Sequence, residues 1–251
     1  MKPIREQLCG AAEVEAALDE GRHPRLLLVA GSPADPATSR VVTRARELGI
    51  EIRETSDRSL WRLSRSRPTA EVLGLCGPPP DATLDDVLAA GGVMWQLAGL
   101  AYPGNTGFAI RLADVSGADG IVIDSDFDHE GRREAVRASM RADRFMPVFW
   151  EPAEGVIPRA RAAGRRVLAV EDTGTAAPWE TDLTAPLFLV MGGERHGVPD
   201  DVLALCDGAI RIPMRGFIPS YNVQAAMAMV AGERLRQLGA SDPPDAAPED
   251  R

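Results

Sequence analysis

Lysine is almost absent from this 251-residue chain: a single lysine accompanies 27 arginines, so arginine fills nearly every basic position. An arginine-rich stretch is therefore as easily ordinary solvated surface as a phosphate contact. Cysteine is scarce too. Cys9, Cys76 and Cys206 are far apart, uneven in number and outside metal-ligand spacing. His23, His129 and His196 are equally scattered, so neither a structural nor a catalytic metal is expected. No apolar run approaches the length that crosses a bilayer, and the first ten residues, MKPIREQLCG, lack the apolar stretch of a secretory signal. The expectation from these absences is a soluble, reduced, cytoplasmic protein with no membrane partner.

The formal charge of −9 argues against non-specific coating of nucleic acid, because phosphate neutralisation supplies most of that affinity. A local RNA site stays open. Residues 1–77 hold 12 basic against 11 acidic side chains and the remainder 16 against 26, so the acidity is C-terminal. Part of it lies in residues 240–251, whose proline-rich polar composition predicts a disordered acidic tail.

Periodicity divides the chain. RLLLVA, IEIRE and AEVLGLC read as strands, with ATSRVVTRARELG an amphipathic helix ending at Gly49 and DRSLWRLSRS a short one. This compact α/β unit spans residues 1–77. GPPPDATLDD then reads as a linker, with Thr83 and Asp86 placed to cap a helix, so residues 78–90 form a linker and domain start. From residue 91 to 239, strands and helices of similar length alternate through DGIVID, FMPVFW, RRVLAV, PLFLVM and AIRIPM. That pattern predicts a mostly parallel sheet covered on both faces. Val223, Ala226, Met227 and Val230 give the last helix an apolar face. An early GxGxxG fingerprint is missing, and the glycine-rich loops come late instead, which separates the chain from a Rossmann domain.

Three segments carry the chemistry. In GNTGFAIRLADVSGADG (residues 104–120), Asn105 is placed to cap a helix, and Arg111 follows Phe108, Ala109 and Ile110 on what reads as a buried helix. A buried arginine there requires a hydrogen-bonding or anionic partner. In MGGERHG (residues 191–197), glycines permit close backbone approach to a ligand around Glu194. In IPMRGFIPSYNVQAA (residues 212–226), Ser220, Tyr221, Asn222 and Gln224 lead into the last helix, where Ser and Asn are also favoured caps. Among the arginines, Arg58, Arg62, Arg65 and Arg67 around Trp61 are candidate RNA contacts. Arg132, Arg133, Arg137 and Arg141 line a helix face that is either phosphate-facing or simply solvated.

Together the three segments resemble the motifs of the TrmH (SpoU) family of RNA methyltransferases, in the SPOUT superfamily. The resemblance covers about residues 90–238 well and the first unit loosely. It implies a C-terminal α/β-knot fold with a deep trefoil knot, a rare exception to unknotted folding. It also implies an L30e-like first domain that binds substrate RNA, S-adenosyl-L-methionine as cofactor, and a homodimer through the knot domain. The implied activity is methyl transfer to a ribose 2′-hydroxyl, of rRNA first and tRNA second. A base methyltransferase of the same superfamily, or a non-catalytic RNA-binding relative with weakened cofactor binding, is the alternative. Carried onto this chain, the resemblance makes Arg111, Asn105, Glu194, Ser220 and Asn222 catalytic. It places Val170, Met191, Gly192, Gly193, Ile212, Met214, Tyr221, Asn222 and Val223 around the cofactor. The chain departs from the family pattern at Tyr102 to Gly104, at Gly193 and Tyr221, where serine and leucine are usual, at Gln224 in place of serine, and at Arg141 in place of glycine.

Overall fold

The computed structural model describes residues 5–184, 186–218 and 220–239, so the acidic tail expected over residues 240–251 lies outside the described residues. Contacts divide the chain into two compact units, with the boundary between Gly77 and Pro78.

The first unit contains β1 (Gln7–Cys9), α1 (Ala11–Asp19), β2 (Leu26–Ala30), α2 (Pro36–Glu47), β3 (Glu51–Thr55), α3 (Asp57–Leu63) and β4 (Val72–Leu75). Its sheet has the order β1-β4-β2-β3, with β2 and β3 parallel and the other pairs antiparallel. Alternation along β2 feeds two cores: Leu27 and Val29 pack with Val14, Ala17, Val41 and Ala45, while Leu26 and Leu28 pack with Leu60 and Leu73. Asp35 caps α2 and Ser56 caps α3 by accepting from Ala37 N and Ser59 N. The pair β1 and α1 has no counterpart in the periodicity reading, although α1 buries Ala11, Val14, Ala17 and Leu18 at helical spacing.

The second unit opens with α4 (Leu84–Ala89). Thr83 caps it, accepting from Asp86 N. There follow β5 (Val93–Ala98), α5 (Pro103–Val115), β6 (Gly120–Asp124), α6 (His129–Ala138), β7 (Val148–Phe149), α7 (Ala153–Ala162), β8 (Arg166–Val170), β9 (Leu187–Gly192), α8 (Asp200–Ala204), β10 (Gly208–Ile210) and α9 (Val223–Gln237). The sheet order is β10-β8-β9-β5-β6-β7 and every pairing is parallel. Such a sheet must be covered on both faces, and it is. Val93, Trp95 and Leu97 of β5 with Leu187, Leu189 and Met191 of β9 point to one core, shared with Ile110, Met227 and Val230. Met94, Ala98, Phe188 and Val190 point to the other, against Leu88, Val156, Ile157 and Val202.

Two devices set α5. Gly107 abuts α6 so closely that a Cβ there would collide with Ala135 and Ala138. Its N-cap is Tyr102 with Pro103 at the first helical position, not Asn105 as the sequence suggested: proline pre-sets the helical φ and needs no N–H partner there. Asn105 therefore lies within the first turn, its side chain free to reach across the sheet edge.

At the opposite edge, Arg165 and Asp119 form a buried ion pair at 3.0 Å, each side chain 1% exposed. The guanidinium also donates to the carbonyls of Val87, Leu88, Gly92 and Leu187, and Gly92 N donates to Asp119. Burial pushes the Asp119 carboxyl up, an effect only partly offset by the guanidinium beside it.

All three cysteines are free. Burial pushes the Cys76 and Cys206 thiols up to about 11. Only the thiolate is nucleophilic, so at pH 8 about one thiol in a thousand is ionised at these two sites. Native protein exposed to iodoacetamide at pH 8 is expected to leave both peptides unmodified by mass spectrometry, with labelling rising as pH climbs toward 11 or as denaturant is added. Rapid native labelling at pH 8 would contradict the assignment.

Candidate active site

The loops that leave β8, β9 and β10 at their C-terminal ends enclose a cavity of roughly 410 Å3, a size suited to a cofactor-scale ligand. In parallel α/β sheets this edge is where ligands bind. All nine residues expected around the cofactor line it: Val170, Met191, Gly192, Gly193, Ile212, Met214, Tyr221, Asn222 and Val223. Glu194, Gly197 and Ser220 line it too, as do Glu171 and Asp172, which the motif reading passed over. The lining joins an apolar strip, from Val170, Met191, Ile212 and Val223, to a rim of carboxylates, hydroxyls and main-chain groups.

The glycine loop is built to a tight plan. Gly193 N donates to Gly197 O and Gly197 N donates to Gly193 O, both at 3.1 Å, closing a turn that presents Glu194. A Cβ on Gly192 would collide with the backbone at Gly197 and Val198, so no larger residue fits while the turn stays closed. At Gly193, where the family pattern has serine, a Cβ would run into the Gly99 carbonyl. The backbone at Gly99 thus leaves no room for the serine of the family pattern while the loop keeps this path.

Glu194 is half-buried and fully engaged. One carboxylate oxygen accepts from Ala101 N at 3.0 Å, the other from Asn105 Nδ2 at 2.7 Å. The contact ties the loop after β9 to the start of α5, and it fixes the Asn105 carbonyl oxygen pointing away from the carboxylate. Asn222 caps α9, its Oδ1 accepting from Gln224 N at 3.0 Å. Ser220 is exposed and its hydroxyl donates to Tyr221 O at 3.3 Å. Tyr221, 41% exposed, directs its hydroxyl to Pro213 O at 3.4 Å, which braces the loop across itself.

Arg111 is placed differently from the expectation. It is exposed, not buried, and does not line the cavity. The buried face of α5 is made by Thr106, Gly107, Ala109, Ile110 and Ala113, and at 100° per residue Arg111 falls off that stripe. Six residues beyond Asn105, it lies about 9 Å further along the helix axis. Within one chain, then, Asn105, Glu194, Ser220 and Asn222 gather at one sheet edge and Arg111 does not join them.

In the first unit, Arg58, Arg62, Arg65 and Arg67 are all exposed. Arg67 lies over the Trp61 ring, 5.1 Å from its centroid, and donates to the carbonyls of Trp61, Ser64 and Ser66. Arg65 is bonded to Gln7 through its guanidinium and its main chain. Those two brace the segment after α3, leaving Arg58 and Arg62 as the more accessible cations. On α6, Arg132 stacks similarly over Trp150 at 5.0 Å, whereas Arg141 lies beyond the end of α6, off the expected helix face, and pairs with Asp143. Among the described residues there is no cluster of His, Cys, Asp or Glu suited to a metal ion, and no helix long and apolar enough to cross a membrane.

An all-parallel sheet with a glycine-lined cavity at its C-terminal edge, and no early nucleotide fingerprint, defines an α/β ligand-binding enzyme class distinct from Rossmann proteins. Residues 93–232 match the model of the SpoU rRNA Methylase family, and the chain belongs to that family. It is 30% identical over 237 residues, 91% of this chain and 73% of the relative, to an uncharacterized tRNA/rRNA methyltransferase of Mycobacterium sp. (strain KMS). It is 26% identical over 212 residues, 78% of this chain and 83% of the relative, to the 23S rRNA (guanosine-2′-O-)-methyltransferase RlmB of Photobacterium profundum. Among solved structures, the AdoMet-bound rRNA methyltransferase from Sinorhizobium meliloti superposes with a TM-score of 0.57 at 26% identity, covering 94% of this chain and 88% of that one.

Proposed function

We propose that this protein is an S-adenosylmethionine-dependent RNA methyltransferase that acts on a ribose 2′-hydroxyl of rRNA, in the cytoplasm. The observation that carries the reading is the cavity after β8, β9 and β10, with Glu194 on its rim bonded to Asn105. The residues fit the cofactor: Gly192, Gly193 and Gly197 line the cavity with main chain and no side chain, and Val170, Met191, Ile212 and Val223 offer apolar surface to an adenine. Bound S-adenosylmethionine supplies a methyl group already activated on a sulfonium. What the chain must add is alignment of the nucleophile and stabilisation of its developing charge.

Glu194 orients Asn105 toward the ribose, and Ser220 with Asn222 hold the reacting hydroxyl beside the cavity. Arg111 stabilises the alkoxide or an adjacent phosphate; a guanidinium stays protonated near neutrality and so does not serve as the base. Because Arg111 lies outside its own chain's cavity, it acts on the cavity of a second copy, and the active form is a homodimer in which each site borrows the partner's arginine. Phe108, 48% exposed, and Met229, 43% exposed, give α5 and α9 apolar surface for that contact. The family knot threads the segments that form the cavity, and the first unit, an L30e-like domain, selects the RNA through Arg58 and Arg62.

The test uses rRNA and methyl-labelled cofactor. Label is expected in RNA and in nucleosides modified on the sugar, and it should vanish when the mapped target carries a 2′-deoxyribose. Label retained on that deoxy target, or found on a base ring, would replace ribose methylation with base methylation; folded protein that binds no cofactor at millimolar concentration would remove catalysis altogether.

A further inference from the structure

Glu171 is the first residue beyond β8, and no family motif includes it. Its main-chain N–H donates to Ile210 O at 3.0 Å, so its backbone is tied to β10. Its side chain turns the other way, toward the glycine loop. Oε2 accepts from Val198 N at 2.8 Å, and Oε1 accepts from Asp172 N at 3.0 Å. The carboxylate also fills the place where a side chain on Gly197 would begin: a Cβ there would sit 2.5 Å from Oε2. Gly197 has φ +65°, a conformation that also favours glycine.

We infer that Glu171 is a positioning residue for methyl transfer, clamping the turn that carries Glu194. The inference rests on reading the cavity as the donor pocket. The links are consecutive. Glu171 holds Val198 and packs on Gly197; Gly197 closes the turn with Gly193 through two hydrogen bonds; Glu194, presented by that turn, holds Ala101 N and Asn105. One strand-end carboxylate thereby sets both the cavity wall at Gly192 and Gly193 and the orientation of a side chain on α5. Its bond to Val198 is charge-assisted and depends on reach as well as on charge.

Reach and charge separate in three variants. Glu171→Ala removes the acceptor; Glu171→Asp keeps the charge but withdraws it by one methylene; Glu171→Gln keeps an acceptor oxygen at full reach without the charge. Turnover of RNA is measured at saturating donor, with donor affinity by calorimetry and folding by thermal melting. Glu171→Ala and Glu171→Asp are expected to lower kcat by about tenfold to a hundredfold, the scale of small misplacements at a reaction centre. Glu171→Gln should lose at least about threefold less than Glu171→Asp, since its amide oxygen still reaches Val198 N although its NH2 cannot accept from Asp172 N. Added to Glu194→Ala, Glu171→Ala should lower kcat little further, because the group it positions is already gone. The inference is overturned if Asp and Gln variants are equally active, if kcat of the folded Ala variant is within twofold of wild type, or if the two losses multiply. Should the Ala variant fail to fold, the Asp-to-Gln ratio decides alone. Wild-type protein that neither binds donor nor labels RNA would instead sink the donor-pocket reading.

Discussion

Arg111→Ala is expected to reduce turnover by about a hundredfold to a thousandfold, the loss that follows removal of one preorganised charge-stabilising group from a reaction centre. Because the side chain is exposed and off the buried stripe of α5, the variant should fold and melt like the wild type. Its failure should also be repairable. Protomers of Arg111→Ala mixed with protomers of Asn222→Ala form, at random pairing, one-half mixed dimers. If each cavity uses the partner's arginine, every mixed dimer contains one intact site and one doubly defective site. About a quarter of wild-type activity is then expected to return, far above the residual activity that Arg111→Ala retains alone. No recovery on mixing would place Arg111 in its own chain's site or outside the reaction. A fully active Arg111→Ala enzyme would remove it from the mechanism.

The second large effect concerns stability. Arg165→Met leaves Asp119 buried and unpaired, and strips hydrogen bonds from four main-chain carbonyls. Breaking a buried pair by removing one partner costs about 3–5 kcal/mol. For a unit of this size, that lowers the melting temperature by about 6–20 °C. The double substitution Arg165→Met, Asp119→Leu should recover part of the loss, since the carboxylate is removed with its partner, though the carbonyls at Val87 and Leu88 still lack a donor and buried Arg234 loses the attraction of Asp119. Calorimetric melting of the three proteins checks this. A single variant that melts within about 2 °C of wild type would show that water reaches the pair.

These two arginines show where the sequence was legible. The alternation of strands and helices from Val93 to Gln237 was plain, because most strands are short, mainly apolar runs and α5, α7 and α9 bury residues at three-and-four spacing. Most cavity residues were legible for another reason: apart from Val170 to Asp172 they belong to two contiguous motifs, and a loop between a strand and a helix stays together in space. Arg111 was misjudged because its neighbours in sequence, Phe108 to Ile110, do not share its helix face; Phe108 is itself half exposed. The N-cap of α5 was misassigned because the capping potential of Asn105 was weighed above the proline at position 103. Arg165 and Glu171 gave no signal, since their partners are mostly main-chain groups dozens of residues away, and main-chain partners leave no pattern in side-chain identity.

Asn105 and Glu194 are 89 residues apart, and the rest of the cavity wall is completed only by Asn222 and Val223. While the chain is being synthesised, the first unit and the early strands can take shape long before the cavity proposed to hold the donor is complete. The nascent protein is therefore silent toward the very RNA that surrounds its birth, and chemistry begins only once nearly the last helix has been delivered.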